Sequence, residues 1–518
     1  MEPTLLSIDC GTQSLRALIF DLKGNLVAKK QIFYTPYTSP HPGYAEQDAE
    51  TYWTTLCQAT QYLKQQYPKE FNAIAGVSVT TLRDTMVPVD KHGKPLRPAI
   101  LWLDQRKAQK FYKPGPLWNI ALKIIGIHET LDKLQQEGKS NWIQQNQPHI
   151  WQQTHKYLQI SGFLNYRLTG EFTDSIASQI GHIPFDYRKQ TWADPKNPLA
   201  FSARIFPIEK EKLPQLVSPG SVIGHITVAA SQQTGLPRGL PVIASGSDKG
   251  CETLGVGVVD STMASLSFGT TATIQTTMPR YTEPIPFFPA YPSVIPGHWN
   301  PEIEIYRGFW MVTWFRDEFA FREVQQAKKH GISAEEMLNR LLHQAPAGSL
   351  GLIVQPYWTP MLGDHDGKGA MIGFGDVHRK PHVYRAVIEG LAYGLRDGKH
   401  RLERRARVHF QRLAVSGGAS QSAEICQITS DVFNMPLVRG QTHETSGLGA
   451  AIISAVGLGL YPDIPTAVKQ MVHYHDQFLP NPDNALLYEE LFTHVYTKMY
   501  RRLAPLYKKI RKITGYPE

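Results

Sequence analysis

A chain of 518 residues, 42% apolar and 19% charged, is long enough for more than one domain and a sizeable buried core. With 41 glycines and 37 prolines it falls well short of the low-complexity range, which excludes a disordered or fibrous chain. Lys plus Arg outnumber Asp plus Glu by 54 to 45, a formal charge of +9 that favours anionic ligands such as nucleotides.

In chain order, the pattern predicts strands at residues 4–8, 15–20 and 26–33 joined by tight turns, a three-stranded meander. Tyr52, Leu56, Ala59 and Leu63 recur at helical spacing and predict a helix over 48–65 capped by Asp48, followed by a strand at 73–80. A hairpin is signalled at 90–93, an extended stretch at 98–102 and a polar helix from Asp104 onward. Residues 110–155 read as polar and irregular. The strand at 241–244 runs into a glycine-rich turn. Near Ser261 the opening pattern restarts, with a strand at 263–268, Gly269-Thr270-Thr271, and a strand at 272–277. The proline-rich run 279–301 reads as a surface excursion. Helices are predicted at 310–329, 334–342, 382–407, 421–433 and 447–458, and strands at 411–415 and 436–439. Strands interleaved with helices predict α/β layers.

Composition narrows the partners. The basic runs 401–407 and 508–512 fall on expected helices without interleaved aromatics, so they read as solvated faces and nucleic acid is set aside. The longest near-apolar run, 448–461, is too short to span a bilayer, and no basic leader precedes the first strand, so no membrane association is expected. Cys10, Cys57, Cys251 and Cys426 stand singly, with neither disulfide nor thiolate-zinc spacing, which points to a reducing, cytoplasmic setting.

Three constellations could carry chemistry. Asp9, at the tip of an apolar strand, is followed by Gly11, Thr12, Gln13 and Ser14, with Arg16 in the next strand. Such a hairpin can grip phosphates through backbone and hydroxyl donors while the carboxylate holds Mg2+, although DCGT alone is equally an ordinary turn. Ala244-Ser-Gly-Ser-Asp248-Lys-Gly250 sets a carboxylate where a strand ends and a helix begins, a place for a catalytic acid or for a helix cap. Gly417 and Gly418, with Ser422 beyond, form a strand-turn-helix open to a flat ring or a phosphate. The stretch 363–368 has the wrong spacing for a Walker loop, and Gly369 follows its lysine.

Their order and spacing resemble one family. The segments IDCGTQSLRALIFD, GYAEQDAETYW, SVTTLRDTMVPVD, PAILWLDQR, FLNYRLTGEFTD, ASGSDKGCETLG, SFGTTATI, QPYWTPMLGD with GKGAMIGF, and RLAVSGGASQSAEICQITSDVF with ETSGLGAAI resemble the FGGY carbohydrate kinases of the actin/hexokinase superfamily over nearly the whole chain. The resemblance implies two RNase H-like α/β domains around a cleft, residues 1–258 binding the sugar and 259–518 binding ATP. It implies Asp248 as general base, Asp9 beside Mg2+, and the tip Gly11, Thr12, Gln13, Ser14 with Arg16 on phosphates from one side. Gly269 and Thr270 approach from the other side, and Gly417, Gly418 and Ser422 border the adenosine. Arg83, Asp84, Trp102 and Asp248 fall on sugar-contacting positions, and the Arg83-Asp84 pair resembles the glycerol kinase branch, able to hold vicinal hydroxyls.

Two departures stand out. The segment Arg307 to Trp314 is bulky and aromatic where glycerol kinases carry small residues near the nucleotide, which puts nucleotide contacts there in doubt. Lys249 follows the expected base, placing an added charge either at the substrate or in solvent. The expected activity is ATP-dependent phosphorylation of a small polyol, ketose or sugar acid. The alternative is a nucleotide-regulated binding protein or weak ATPase on the same fold. Homo-oligomerisation is left open.

Overall fold

The computed structural model describes residues 2–116, 119–120, 124, 128–197, 200–360 and 366–516. Two six-stranded sheets organise these residues. The first is built from β1 (Thr4–Cys10), β2 (Ser14–Phe20), β3 (Leu26–Phe33), β4 (Ile74–Thr81), β5 (Val222–His225) and β6 (Pro241–Ile243), in the order β5-β6-β4-β1-β2-β3. The second uses β7 (Met263–Phe268), β8 (Ala272–Gln275), β9 (Glu302–Ile305), β10 (Arg412–Ser416), β11 (Leu437–Gly440) and β12 (Tyr474–Phe478), in the order β9-β8-β7-β10-β11-β12.

In each sheet the first three strands form an antiparallel meander, two parallel strands follow, and an antiparallel strand closes the far edge. The Gly-Thr echo between residues 11–12 and 269–270 is therefore the trace of one topology used twice.

Central strands buried on both faces read as apolar runs, and β1 shows why. Leu6, Ile8 and Cys10 pack toward helix α1 (Ala49–Gln66), whereas Leu5 joins Leu18 and Phe20 beneath a different helix. That helix comes from the far end of the chain. After α2 (Ile160–Thr169), α3 (Asp248–Gly255), α4 (Lys380–Ala406) and α5 (Ala423–Phe433), it is α6 (Thr445–Gly457), whose Leu448, Ile452 and Ile453 fill the underside of the first sheet. Ser78 of β4 donates to Ala450 O at 3.1 Å. α6 also meets α3 backbone to backbone: a Cβ on Gly449 would lie 1.9 Å from Cys251 O, and one on Gly255 1.9 Å from Thr445 O. Only glycine permits that approach.

Several elements differ from the sequence expectation. Residues 104–115 form no regular helix, because the Asp104 carboxylate takes the Arg106 amide (3.0 Å), the Arg106 guanidinium (2.8 Å) and the Ala45 amide (2.6 Å), competing with helical hydrogen bonds. Within 110–155, whose gaps lie outside the described residues, helices form at His128–Glu137, Lys139–Asn146 and Pro148–Gln153, two of them burying Ile143 and Trp151 against Phe185. The helix expected over 310–329 breaks at Ala320, whose backbone leaves the helical region so that its side chain is fully buried. The excursion 279–301 is no mere surface loop: Ala290, Ser293, Val294 and Asn300 are buried, and Val294 packs on Gly246 beside α3. Residues 363–365 of the stretch 363–368 lie outside the described residues.

The α3–α6 contact gives a direct test. Gly449→Ala inserts a methyl where backbone stands and should lower unfolding stability by about 1–3 kcal/mol. Gly418→Ala, with nothing within 4 Å of the new carbon, should stay within ~0.5 kcal/mol. Urea midpoints of the two variants decide it.

Candidate active site

The ends of β1, β4 and β6 in the first sheet and of β7 and β10 in the second converge on one cleft, with the N-terminus of α3 between them. Ser247 caps α3, its hydroxyl accepting from the Gly250 amide (3.3 Å), and an isolated bridge holds Ser247 against Thr81 at the end of β4. Asp248 is the first helical residue and its carboxylate side chain is 32% exposed, facing the cleft. Arg83 Nε lies 3.9 Å from Asp248 Oδ1 and donates to Ser247 Oγ at 3.3 Å. Burial lifts the Asp248 carboxyl above its ordinary value, against the pull of Arg83 and Lys249.

The β1–β2 turn supplies the second carboxylate. Asp9 pairs with Arg16 across the antiparallel register, and Arg16 Nη1 donates to Asp9 Oδ2 at 2.9 Å. Burial raises the Asp9 carboxyl to about 6; Arg16 opposes this while Asp248 and Glu444 add to it. Gly11, Thr12 and Gln13 form the open tip, with Trp102, 47% exposed, donating from its indole to Thr12 Oγ1 (3.1 Å). Ser14 is buried below that tip, where its hydroxyl accepts from Gln31 Nε2 at 2.9 Å, so it is the least available of the four tip residues expected to meet phosphate.

In the second sheet, Ser267 of β7 and Ser416 of β10 are parallel partners, which sets the turns beginning at Gly269 and Gly417 side by side. Thr270 is exposed at its tip. Gly417 has φ +87° and lies against the Phe268 backbone, where any Cβ would clash at 2.7 Å. Gly418 faces open space. Ser422 caps α5: its hydroxyl donates to Glu424 (2.7 Å) and accepts from the Ile425 amide (3.2 Å). The aromatic segment is core. Phe309 packs at a tilt against Phe268 with ring centres 4.5 Å apart, and Met311, Val312 and Phe315 are buried.

Arg83 and Asp84 come to the cleft but do not form a joint fork. The Arg83 guanidinium is held in two hydrogen bonds by Glu302 of β9 (2.9 and 3.2 Å) and stacks over the Tyr291 ring at 5.0 Å. Asp84, at φ +49°, is bound by the Lys139 ammonium, the His182 amide (3.0 Å) and His182 Nδ1 (2.8 Å). A Cβ on Gly181 would fall 2.4 Å from Asp84 Oδ1, so glycine makes room for the carboxylate. Burial works to raise the Asp84 carboxyl, but Lys139 and His182 outweigh it and hold it well below the carboxylate range. Burial works against the His182 imidazolium, and Asp84 outweighs it, raising its pKa to about 8. Lys139, His182, Glu302, Tyr291 and Glu444 were not singled out in the sequence. Each lies far along the chain from its partner, and only the alternating acids of Glu302 and Glu304 on one strand offered a signal.

The Lys249 ammonium is engaged on the side of the second sheet: its Nζ donates to Glu252 Oε2 (2.8 Å) and Ser267 Oγ (2.6 Å), with the side chain 22% exposed.

The N-terminal domain of the FGGY family of carbohydrate kinases matches residues 4–255, and the family's C-terminal domain matches residues 264–458. An uncharacterised sugar kinase of Escherichia coli is 30% identical over 508 residues, covering 98% of this chain and 95% of its own. A xylulose kinase of Lactococcus lactis is 28% identical over 512 residues, 97% of each chain. The crystal structure of gluconate kinase from Lactobacillus acidophilus superposes with TM-score 0.82 at 23% identity over 98% of this chain and 99% of that one, a likeness of fold. With both domains matched in order on a sheet topology that occurs twice, the chain belongs to the FGGY family of carbohydrate kinases, which phosphorylate small carbohydrates at the expense of ATP.

Proposed function

We propose that this kinase phosphorylates a hydroxyl of a small polyol, ketose or sugar acid, with Asp248 as general base, residues 1–258 holding the acceptor and 259–518 the nucleotide. The observation that carries the reading is Asp248 itself: a cleft-facing carboxylate of raised basicity, set between the Arg83 side and the paired turns at Gly269 and Gly417.

A sugar hydroxyl attacks phosphorus poorly while it keeps its proton. A positioned carboxylate that accepts the proton during transfer contributes ~10²- to 10⁴-fold. Ser247 and the Lys249 amide, which donates to Asp248 Oδ1 at 2.8 Å, fix that carboxylate in place. The tip Gly11–Gln13 and the turn Gly269–Thr270 present backbone amides and hydroxyls to phosphates from opposite sides, and Gly417 with Gly418 leaves a side-chain-free floor for the adenosine. Arg16 neutralises charge beside Asp9. On the acceptor side, Arg83 keeps donors beyond the three it uses, and Asp84 with Lys139 and His182 supplies a fixed polar wall; Trp102 covers the entrance.

The donors present suit Mg2+, which takes hard oxygen ligands and commonly binds one or two carboxylates together with substrate phosphates. Asp9 would be such a ligand, and the neighbouring Asp248 and Glu444 charges that raise its pKa are ones a cation would relieve. Among the described residues no group of three or more acidic, histidine or cysteine side chains gathers to hold a metal, so Asp9 would hold the ion together with phosphates. Bound there, the ion would neutralise phosphate charge. No described helix is long and apolar enough to cross a membrane.

ADP release measured with and without C3 to C6 polyols, ketoses and aldonates tests the reading: at least one acceptor should raise the rate above the water background, and a flat panel would remove it. Asp248→Asn should keep Mg·ATP binding and lower turnover by ~10²- to 10⁴-fold. Near-normal turnover in that variant would reassign the base. Arg83→Ala and Asp84→Ala should each lower kcat/KM for the acceptor by ~10²- to 10³-fold with little change in KM for ATP; an effect confined to ATP would move the pair out of the sugar site. Asp9 predicts a pH signature. Its folded pKa of about 6 lies above the ordinary carboxylate value of 3.8, so the unfolded chain loses this proton first and the ionised group disfavours the fold as pH rises from 4 to 6. In metal-free urea melts, Asp9→Asn should therefore gain stability over the parent across that window, on the order of 2–3 kcal/mol.

A further inference from the structure

Lys249 is an unusual residue for its place. It occupies the second position of α3, where the helix dipole disfavours a cation, so its location is set by partners elsewhere. Two of them are Glu252 on the next turn and Ser267 at the end of β7, in the other sheet. Glu252 is buried and accepts in addition from Ser267 Oγ (2.9 Å) and from Ser416 at the end of β10. The ammonium thus lies beneath the two neighbouring turns of the second sheet. A Cβ built on Gly269 would lie 3.9 Å from Lys249 Nζ.

An ammonium carries three donors, and two are used. The side chain is 22% exposed, which leaves the third donor a route to the cleft. Burial works against its charge, and Glu252 and Asp248 outweigh that, so the group stays protonated through the working pH range. Asp248 lies between two cations of distinct address, Arg83 toward β4 and β9 and Lys249 toward β7 and β10. On the side of the first sheet, Arg16 is already engaged by Asp9 and Glu444.

We propose that Lys249 is a catalytic residue on the nucleotide side, its third N–H donating to an oxygen of the terminal phosphoryl group of ATP, with Glu252, Ser267 and Ser416 positioning it. This rests on Asp248 being the base. During transfer the bond between the β,γ-bridging oxygen and the γ-phosphorus breaks, and the bond from acceptor oxygen to phosphorus forms. The acceptor proton passes to Asp248, and ADP leaves with the electron pair of the broken bond. Lys249 keeps its protons throughout and stabilises charge on the moving group.

The test compares Lys249→Met, Lys249→Arg and the double variant Lys249→Met/Glu252→Gln with the parent. Turnover is read on the best acceptor of the panel, and calorimetry measures affinity for Mg·ADP and for the non-hydrolysable triphosphate Mg·AMP-PNP. Lys249→Met should lower kcat by ~10²- to 10³-fold and weaken AMP-PNP at least tenfold while ADP binding and the acceptor KM hold. Lys249→Arg should recover part of the loss. In the double variant, which also removes the buried acid that the methionine strands, the turnover deficit should persist. A structural role for the lysine gives the opposite result: the double variant regains turnover, or ADP and AMP-PNP weaken alike, and either outcome overturns the proposal. If the parent phosphorylates no acceptor, the reading of the base falls separately, and the ADP to AMP-PNP comparison still decides whether Lys249 meets the terminal phosphate.

Discussion

The contact between α3 and α6 is the constraint on which the site depends. Two helices whose backbones approach at Gly255 and Gly449 have almost no freedom to slide, because every atom that could move out of the way is main chain. One of them begins with Asp248. The other is threaded from the second half of the sequence onto the underside of the first sheet, where Leu448, Ile452 and Ile453 pack against Leu5, Leu18 and Phe20. The carboxylate is thereby held at a fixed height relative to both sheets, and the side chains that follow it on α3, Lys249 and Glu252, are aimed across the divide into β7 and β10.

Charge then orders the cleft. Across the cleft from the first sheet toward the second run Asp84 with Lys139 and His182, Arg83 with Glu302, Asp248, and Lys249 with Glu252, while Asp9 with Arg16 stands on the β1–β2 hairpin. Each carboxylate of this row has a cation within reach. That is what lets so many charges be buried together: in pairs such as Arg83 with Glu302 or Asp84 with Lys139, one partner removed leaves the other uncompensated, whereas Arg16 keeps Glu444 when the Asp9 charge is lost. Glu302 and Glu444 belong to the second half of the chain, yet they hold Arg83, Arg16 and Lys29 of the first. Relative motion of the two halves must slide or break these pairs.

Much of this was legible in the residues. The meander of β1 to β3, the restart at β7, the turn that presents Asp248 and the glycines at 417 and 418 follow from apolar runs punctuated by Gly, Asp and Thr, all signals carried within about ten residues. Where local signals were overruled, the reason is visible. The polar stretch after Asp104 has helical composition, but its aspartate bonds Ala45 and Arg106 instead. The proline-rich run 279–301 looks like solvent-facing chain, but it delivers Tyr291 beneath Arg83 and Val294 against Gly246.

The sequence by itself determined the repeated α/β pattern, the positions of Asp9, Asp248 and the three glycine-bearing turns, and through them the family and the class of reaction. These are properties of short segments, in which backbone conformation and side-chain chemistry are written next to each other. Which charge faces which was decided only by the tertiary structure. Arg83 meets Glu302 across 219 residues, Asp84 meets Lys139 across 55, and Lys249 meets Ser267 through the approach of two sheets. A long side chain such as lysine or arginine can reach several partners from one backbone position, and burial selects the one that satisfies it. That selection exists only once the α3–α6 packing has brought the two halves together.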